Sequence, residues 1–442
     1  MSSIRLAVTF KQLHENISNM TDVEIKMAES RLDWSNILLH LAVIGLPFGH
    51  FTGMIPTGIL ADAFTAKWVF FWGVATSSAV TIIVPLALYR IGYLTLFFLR
   101  VLVGMSQSAM FPCVSKLFAC WIPRTERSIV GGILFSSYPL CVILSYFISY
   151  LVRPTSRLWA NSFYFWGALG ALWCVFVRFF IYDYPPAHPR ITNEEENYLN
   201  DKVPRKIHMV IPLRKIFLDD RVWTLLLGQV GVNFTIHMML WDVPWQLRDG
   251  LGWTMEFANI VVVPAFLGLT FTSIISGIII YYGLIKWKWD LKWTRRIASL
   301  FYVIPNVFIC IQLYQTLEYI DVASFVIAAI SLGPYYASFK VSHLDITINF
   351  PGTVFAIITT ISETVGFISF VVLKNIRSIT YERYCKINAW LAFVLTFSTI
   401  SYYFGRVRVD RAPWDIPPHE ADQYQEGLNR TQANSAGREK VT

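Results

Sequence analysis

The chain has 442 residues, 55% hydrophobic and only 15% charged, with 16 Trp, 21 Tyr and 33 Phe. Soluble domains carry about a quarter charged residues, so this balance, together with repeated apolar runs of about 20 residues, excludes a soluble protein and marks a polytopic membrane one. The net charge of +8 follows from basic loops rather than from a nucleic-acid surface. "MSSIRLAVTF" carries too short an apolar run for a cleavable signal peptide.

Eleven hydrophobic segments are predicted in chain order, at 36–61, 68–88, 93–120, 128–152, 162–182, 222–245, 258–282, 297–316, 321–343, 352–373 and 386–405. Each is long enough to cross a bilayer as a helix, the open-chain structure that satisfies its own backbone in lipid. Segment 93–120 is longer than a span needs and is expected to tilt or project. Between the fifth and sixth lies the polar linker 183–221, opening "DYPPAHPRITNEEENYLNDKVPRK". Within it "ITNEEENYL" predicts a short helix, capped by Thr192 with Glu195 three residues on.

The expected organisation is a tail (1–35), a five-span bundle (36–182), the central loop (183–221), a six-span bundle (222–405) and a second tail (406–442). Basic residues orient it. With the linker in the cytosol, Lys67, Arg124, Arg127, the 283–296 loop and the C-terminal tail fall on the same side. The N-terminal tail then lies outside or in a lumen, where two sequons make Asn16 and Asn19 candidate glycosylation sites. "GILADAFTAKW" and "GIIIYYGLIKW" form a faint parallel echo, as a two-halved transporter shows. Five of the six cysteines lie within apolar runs and read as packing residues.

Arg100 stands inside "FFLRVLVGMSQSAMFP". A guanidinium at that depth either snorkels to an interface or faces the bundle interior and pairs with something. On a helix Arg100, Gly104, Gln107 and Phe111 share a face, and no acid on that helix neutralises the arginine, so an anionic ligand is one candidate partner. Asn233 and His237 lie one turn apart in the sixth segment and could line a cavity, although a satisfied structural histidine is the slightly favoured reading. Glu363 is a mid-span carboxylate, expected either to couple a cation or to pair with a basic residue across the bundle. Lys340 is expected to snorkel toward the cytosolic face, and Asp242 to lie at the outer interface.

"RVLVGMSQSAMFPCVSKLFACWIPRTERS" resembles the fourth-helix signature of the anion-transporting major facilitators, the group of the vesicular glutamate transporters, sialin and the type I sodium–phosphate cotransporters. The pattern rests on Arg100, Gly104, Pro112, Trp121, Pro123 and the Glu126-Arg127-Ser128 triplet. "IPTGILADAFTAKW" looks like the family's second-helix end, "HPRITNEEENYL" like its central loop, and "VSHLDITINFPGTVFAIITTISETVG" like its tenth-to-eleventh helix stretch. "APWD" matches the motif beyond the last helix. The resemblance implies an all-α major facilitator fold, normally of six and six helices, with two bundles rocking about a central cavity. It implies transport of an inorganic or organic anion, phosphate-like or carboxylate, with Na+ or H+ as coupling ion and no cofactor.

By the same resemblance Arg100 lines the cavity and meets the substrate; Gln107, Asn233 and His237 are further binding candidates from their own polarity and placement. Gly58, Asp62, Lys67, Glu126 and Arg127 are the expected gating residues. The family often keeps an acid at the position of Gln107, which cannot titrate. Vesicular glutamate transporters keep an arginine where Val232 aligns, which argues against glutamate. Tyr281 stands where the second copy of the loop motif would carry an acid. Trp34 aligns just before the second helix, so the first is expected to be absent through a truncated gene model or a shortened isoform.

The leading function is therefore a secondary anion transporter in the lipid bilayer, with a small anionic substrate and no nucleic-acid partner, more at the plasma membrane than in lysosomal or vesicular membranes. The alternative is a non-transporting relative with a regulatory or scaffold role. An enzyme is not expected, because no metal cluster or nucleophile motif occurs.

Overall fold

A computed structural model describes residues 36–90, 93–152, 160–203, 207, 209–239, 255–312, 318–375 and 381–417. Asn16, Asn19, Trp34, Asp242 and the expectation about the first helix lie outside these residues. The regular structure of the described residues is all helical, with no strand among them. In the first half they form α1 (Asn36–Ala63), α2 (Ala66–Arg90), α3 (Tyr93–Gln107), α4 (Met110–Trp121), α5 (Arg127–Phe135), α6 (Ser137–Val152) and α7 (Ala160–Phe180). The linker holds α8 (Asn193–Lys202) and α9 (Leu213–Leu218). The second half contains α10 (Asp220–His237), α11 (Met255–Ile285), α12 (Leu291–Leu300), α13 (Ile304–Gln312), α14 (Glu318–Ser331), α15 (Gly333–Ala337), α16 (His343–Ile346), α17 (Pro351–Asn375) and α18 (Tyr381–Arg406).

Eight helical segments among the described residues are long and apolar enough to cross a membrane: 66–88, 94–121, 127–145, 161–180, 262–285, 291–311, 322–346 and 351–368. Large apolar side chains such as Trp72, Phe98, Leu172, Phe179, Phe271 and Phe397 point outward, as a lipid-facing surface requires. Four of the rods are broken, between α3 and α4, α5 and α6, α12 and α13, and α14 and α15. A proline stands two or three residues past each break, at Pro112, Pro139, Pro305 and Pro334. Proline lacks the amide proton for the carbonyl four residues back, and its ring crowds that carbonyl. The expected continuous segment 93–120 is thus two helices with a turn at Ser108 and Ala109. Prolines at 47, 56, 85 and 264 sit inside unbroken helices.

In the first half α1 packs on α3, and α2 packs on α3 and α7. In the second, α10 packs on α17 and α18, and α11 on α14. The halves meet along α1 and α17, α4 and α17, and α5 and α11. The largest apolar core crosses this boundary, running from Phe118 and Phe135 to Tyr335, Leu344 and Phe350.

The tightest contact is between α1 and α3. Gly45, Gly49 and Gly53 recur at four-residue spacing, the small-residue stripe by which membrane helices approach closely. A Cβ on Gly49 would lie 2.0 Å from the Val101 carbonyl oxygen, and one on Gly104 2.1 Å from that of Leu46. Backbone occupies the space, so a methyl group must push the helices apart. Gly49→Ala is expected to cost about 1–3 kcal/mol, read as unfolding in detergent, whereas Gly405→Ala, with nothing within 4 Å of its Cβ, leaves the transition in place.

Candidate functional site

Arg100 lies two turns into α3 and is 3% exposed, so it does not reach a surface. Its Nε and Nη1 are buried without hydrogen-bond partners, and no charged side chain among the described residues acts on it. An uncompensated buried charge costs several kcal/mol. The position is therefore chemically incomplete, with two donors ready for an acceptor of opposite charge.

Gln107 is turned elsewhere. Its Nε2 donates to Ser77 Oγ on α2 at 3.1 Å, which ties α3 to its neighbour. Asn233 is also fully engaged: its Nδ2 donates to Ser362 Oγ at 3.0 Å, its Oδ1 accepts from the Tyr335 hydroxyl at 3.2 Å, and its carbonyl lies 2.8 Å from His237 Nδ1. Val232 is fully buried in the apolar core.

A second polar centre forms between the halves. Glu363 on α17 faces His50 on α1, with Oε2 3.9 Å from Nε2 and side-chain exposures of 24% and 21%. His237 and Lys340 also feel the Glu363 charge. Lys340 is held among aromatic rings instead of snorkelling out: its Nζ lies 5.3 Å from the Phe355 ring centre and 5.8 Å from that of Tyr335, within cation–π range. Sequence reasoning missed His50. The criterion that singled out Arg100, one polar residue in the apolar run "GLPFGHFTG", would have found it.

The linker end is a seam between the halves. Asp62, at the end of α1, accepts from the Thr353 amide at 2.6 Å and the Gly352 amide at 3.3 Å. These are first-turn amides of α17, which have no partner within their own helix and carry its positive dipole end. Gly58 lies one turn earlier, where a Cβ would come 2.5 Å from Ala356 Cβ. Lys67 is not at this contact. Its amide donates to Asp183 at the start of the linker at 2.9 Å, and its Nζ lies 4.5 Å from the Tyr182 ring centre within the first half.

Arg127 is 3% exposed and donates from Nη1 to the Leu344 carbonyl at 2.7 Å. Asp345, beside it, pairs with Arg295 at 3.1 Å, Arg124 at 3.8 Å and Arg127 at 3.9 Å. Ser273 Oγ donates across to the Gly132 carbonyl at 2.9 Å, and Arg124 donates to the carbonyl of Val409. Glu126 accepts from the Tyr198 hydroxyl on α8, fastening the linker to the seam. Thr192 caps that helix, its Oγ1 accepting from the Glu195 amide at 3.2 Å. Among the described residues no three His, Cys, Asp or Glu gather as a metal site.

Two halves of membrane-depth helices, joined by a polar linker and latched at the linker end, are the architecture of a rocking-bundle transporter. Comparison with known proteins agrees: the Major Facilitator Superfamily pattern matches residues 12–370. The chain belongs to that superfamily and is a multi-pass membrane protein rather than an enzyme. Sialin of Homo sapiens is 24% identical over 74% of this chain and 67% of its own length. A putative inorganic phosphate cotransporter of Drosophila melanogaster is 23% identical over 92% and 78%, and vesicular glutamate transporter 1 of Bos taurus 20% over 95% and 76%. In fold, the proton:xylose symporter XylE, solved with 6-bromo-6-deoxy-D-glucose, superposes at a TM-score of 0.68 with 13% identity, covering 92% of this chain and 95% of its own. A bacterial homologue of the iron transporter ferroportin, outward-facing, gives 0.62 with 10% identity over 91% and 98%.

Two outcomes test the seam. Asp62→Asn removes the charge at the α17 terminus, a loss of about 1–2 kcal/mol, so maleimide labelling of a cysteine placed at Thr353 is expected to rise several-fold. The hydrogen bond to Glu126 holds the Tyr198 hydroxyl above its ordinary range. That contact contributes while Tyr198 keeps its proton and is lost as pH rises through the raised value. Glu126→Gln is expected to bring the tyrosinate absorbance of Tyr198 back toward pH ~10, read against a Tyr198→Phe control.

Proposed function

We propose that this protein is a secondary active transporter of a small inorganic or organic anion, phosphate-like or carboxylate, working by alternating access. The observation that carries the reading is Arg100, buried with two guanidinium nitrogens unpartnered and no acid among the described residues acting on it. An anion held there restores the missing hydrogen bonds and charge, and its binding is strongest where water is excluded. Proteins named for phosphate and glutamate transport stand among the relatives, which supports the anion class without choosing a member.

Gly58, Asp62, Arg127 and Glu126 are proposed to hold the cytosolic end shut in this conformation. Asp62 acts through the α17 terminus, Arg127 through Leu344 and Asp345, and Glu126 through the linker. Lys67 steadies the same end from within its own half. Asn233 and His237 border the second polar centre, Gln107 supports α3 from behind, and Glu363 is the candidate for cation coupling. Vesicular transporters among the relatives give the plasma membrane no advantage over internal membranes, so the proposal extends to either.

Uptake into proteoliposomes of labelled phosphate, sialic acid and glutamate, with and without Na+ and a pH gradient, tests the reading. Arg100→Ala is expected to lower saturable uptake at least ~100-fold, as loss of a charge-paired contact of about 3 kcal/mol implies, and Arg100→Lys to retain part of it. No saturable uptake by the folded wild-type protein would sink the proposal.

A further inference from the structure

Glu363 and His50 belong to different halves, one on α17 and one on α1, and they meet at 3.9 Å. Each keeps more than a fifth of its side chain accessible, although adjoining residues such as Asn233, Ser362, Thr359 and Ile358 are buried. A carboxylate and an imidazole placed so in a boundary that must open and close form an exchangeable contact rather than a core one. We infer that His50 and Glu363 form a single proton-binding site shared by the two bundles, and that the coupling ion is H+. The inference rests on the transport reading and names the ion it leaves open.

Proton chemistry fits the pair better than a metal cation does. Imidazole is the side chain whose proton exchange lies nearest neutral pH, and a carboxylate 3.9 Å away is placed to hold the imidazolium. Other groups face the pair from every side. His237 comes from α10, Lys340 from the segment after α15, Tyr138 from α6, and Tyr335 and Tyr336 from α15, all within reach of the Glu363 charge. The Gly104 carbonyl faces His50 from α3. With Lys340 charged and Glu363 ionised the group is neutral, and one bound proton brings it to a single positive charge. Na+ would have to sit within reach of the Lys340 ammonium, whose charge already acts on Glu363 and opposes a second fixed cation at the same carboxylate.

The step is balanced without any further reactant. One proton enters from the open side, rests on His50 or Glu363, and leaves when the site faces the other side. While the helices are together, the imidazolium is held by the carboxylate. When the bundles rock, the two members separate with α1 and α17 and the proton is held less firmly, which links its release to the conformational change. Gln107 cannot titrate and takes no part.

Purified full-length protein, titrated downward from about pH 8 by infrared difference spectroscopy, reads the site without any substrate. A carboxylate–imidazole signal in the wild type that is absent from Glu363→Gln and His50→Gln is the expected result. A wild type lacking it, or variants that keep it, would overturn the inference whether or not uptake is found. In proteoliposomes with labelled phosphate, sialic acid and glutamate, the ratio of proton-gradient-driven uptake to equal-pH exchange is expected to fall about tenfold or more in Glu363→Gln, with recovery in Glu363→Asp. An unchanged ratio overturns the pair's role, as does equal loss of both modes with an unaltered melting curve, which would mark Glu363 as a substrate contact. Should the wild type show the infrared signal yet exchange no anion, the transport reading fails and the proton site stands.

Discussion

The carboxylate of Asp62 at the first amides of α17 is the contact on which the relation between the two halves depends. The first amides of any helix need outside acceptors, and here the acceptor comes from the other half of the molecule, 291 residues away. Gly352 leaves room for it, since a Cβ there would lie 3.2 Å from Asp62 Oδ1. With that height set, α1 and α17 run antiparallel in register. Gly58 meets Ala356, Glu363 meets His50, and Phe51 meets Phe367 at 5.7 Å.

Beside this contact the seam is built from charge. One carboxylate, Asp345, serves three arginines, and Nε of Arg127 and Nη2 of Arg295 are buried without partners. Ion pairs of this kind specify an arrangement more than they add stability, because desolvation offsets the attraction. A second carboxylate, Asp415, orders the turn before α17, accepting from the Ile348 and Asn349 amides and from the Thr347 hydroxyl. Arg411 donates to it at 2.6 Å. The chain beyond α18 is thus tied to the turn that presents Gly352 and Thr353 to Asp62.

Much of this was legible before any coordinates. Apolar runs located the helices because lipid tolerates little else, and the Thr192–Glu195 spacing marked a cap that forms. The resemblance directed attention to Arg100, Asp62 and Arg127, although not to the partners of the last two, which lie far along the chain. Facing direction was harder to read. A helix that is apolar nearly all round does not say which neighbour a side chain meets, and the hydrogen bond from Gln107 to Ser77 is not readable from its spacing to Arg100. Lys340 was given a path to water, yet aromatic rings and Glu363 hold it between the halves. His50 went unnoticed because its significance lies in Glu363, 313 positions later in a different bundle, and the proline-associated breaks were hidden because hydropathy runs straight through them.

The glycine stripe between α1 and α3 has a mechanical consequence. Helices in backbone contact cannot slide past one another without opening a void, so α1 and α3 travel as one stiff piece. That piece carries Arg100 on α3 and both His50 and Asp62 on α1, the last two separated by twelve residues, or about 18 Å of helix. A force applied at any of the three is delivered to the others by leverage. An anion settling against Arg100, or a change of charge at His50, would act through one rigid arm on the catch at its far end.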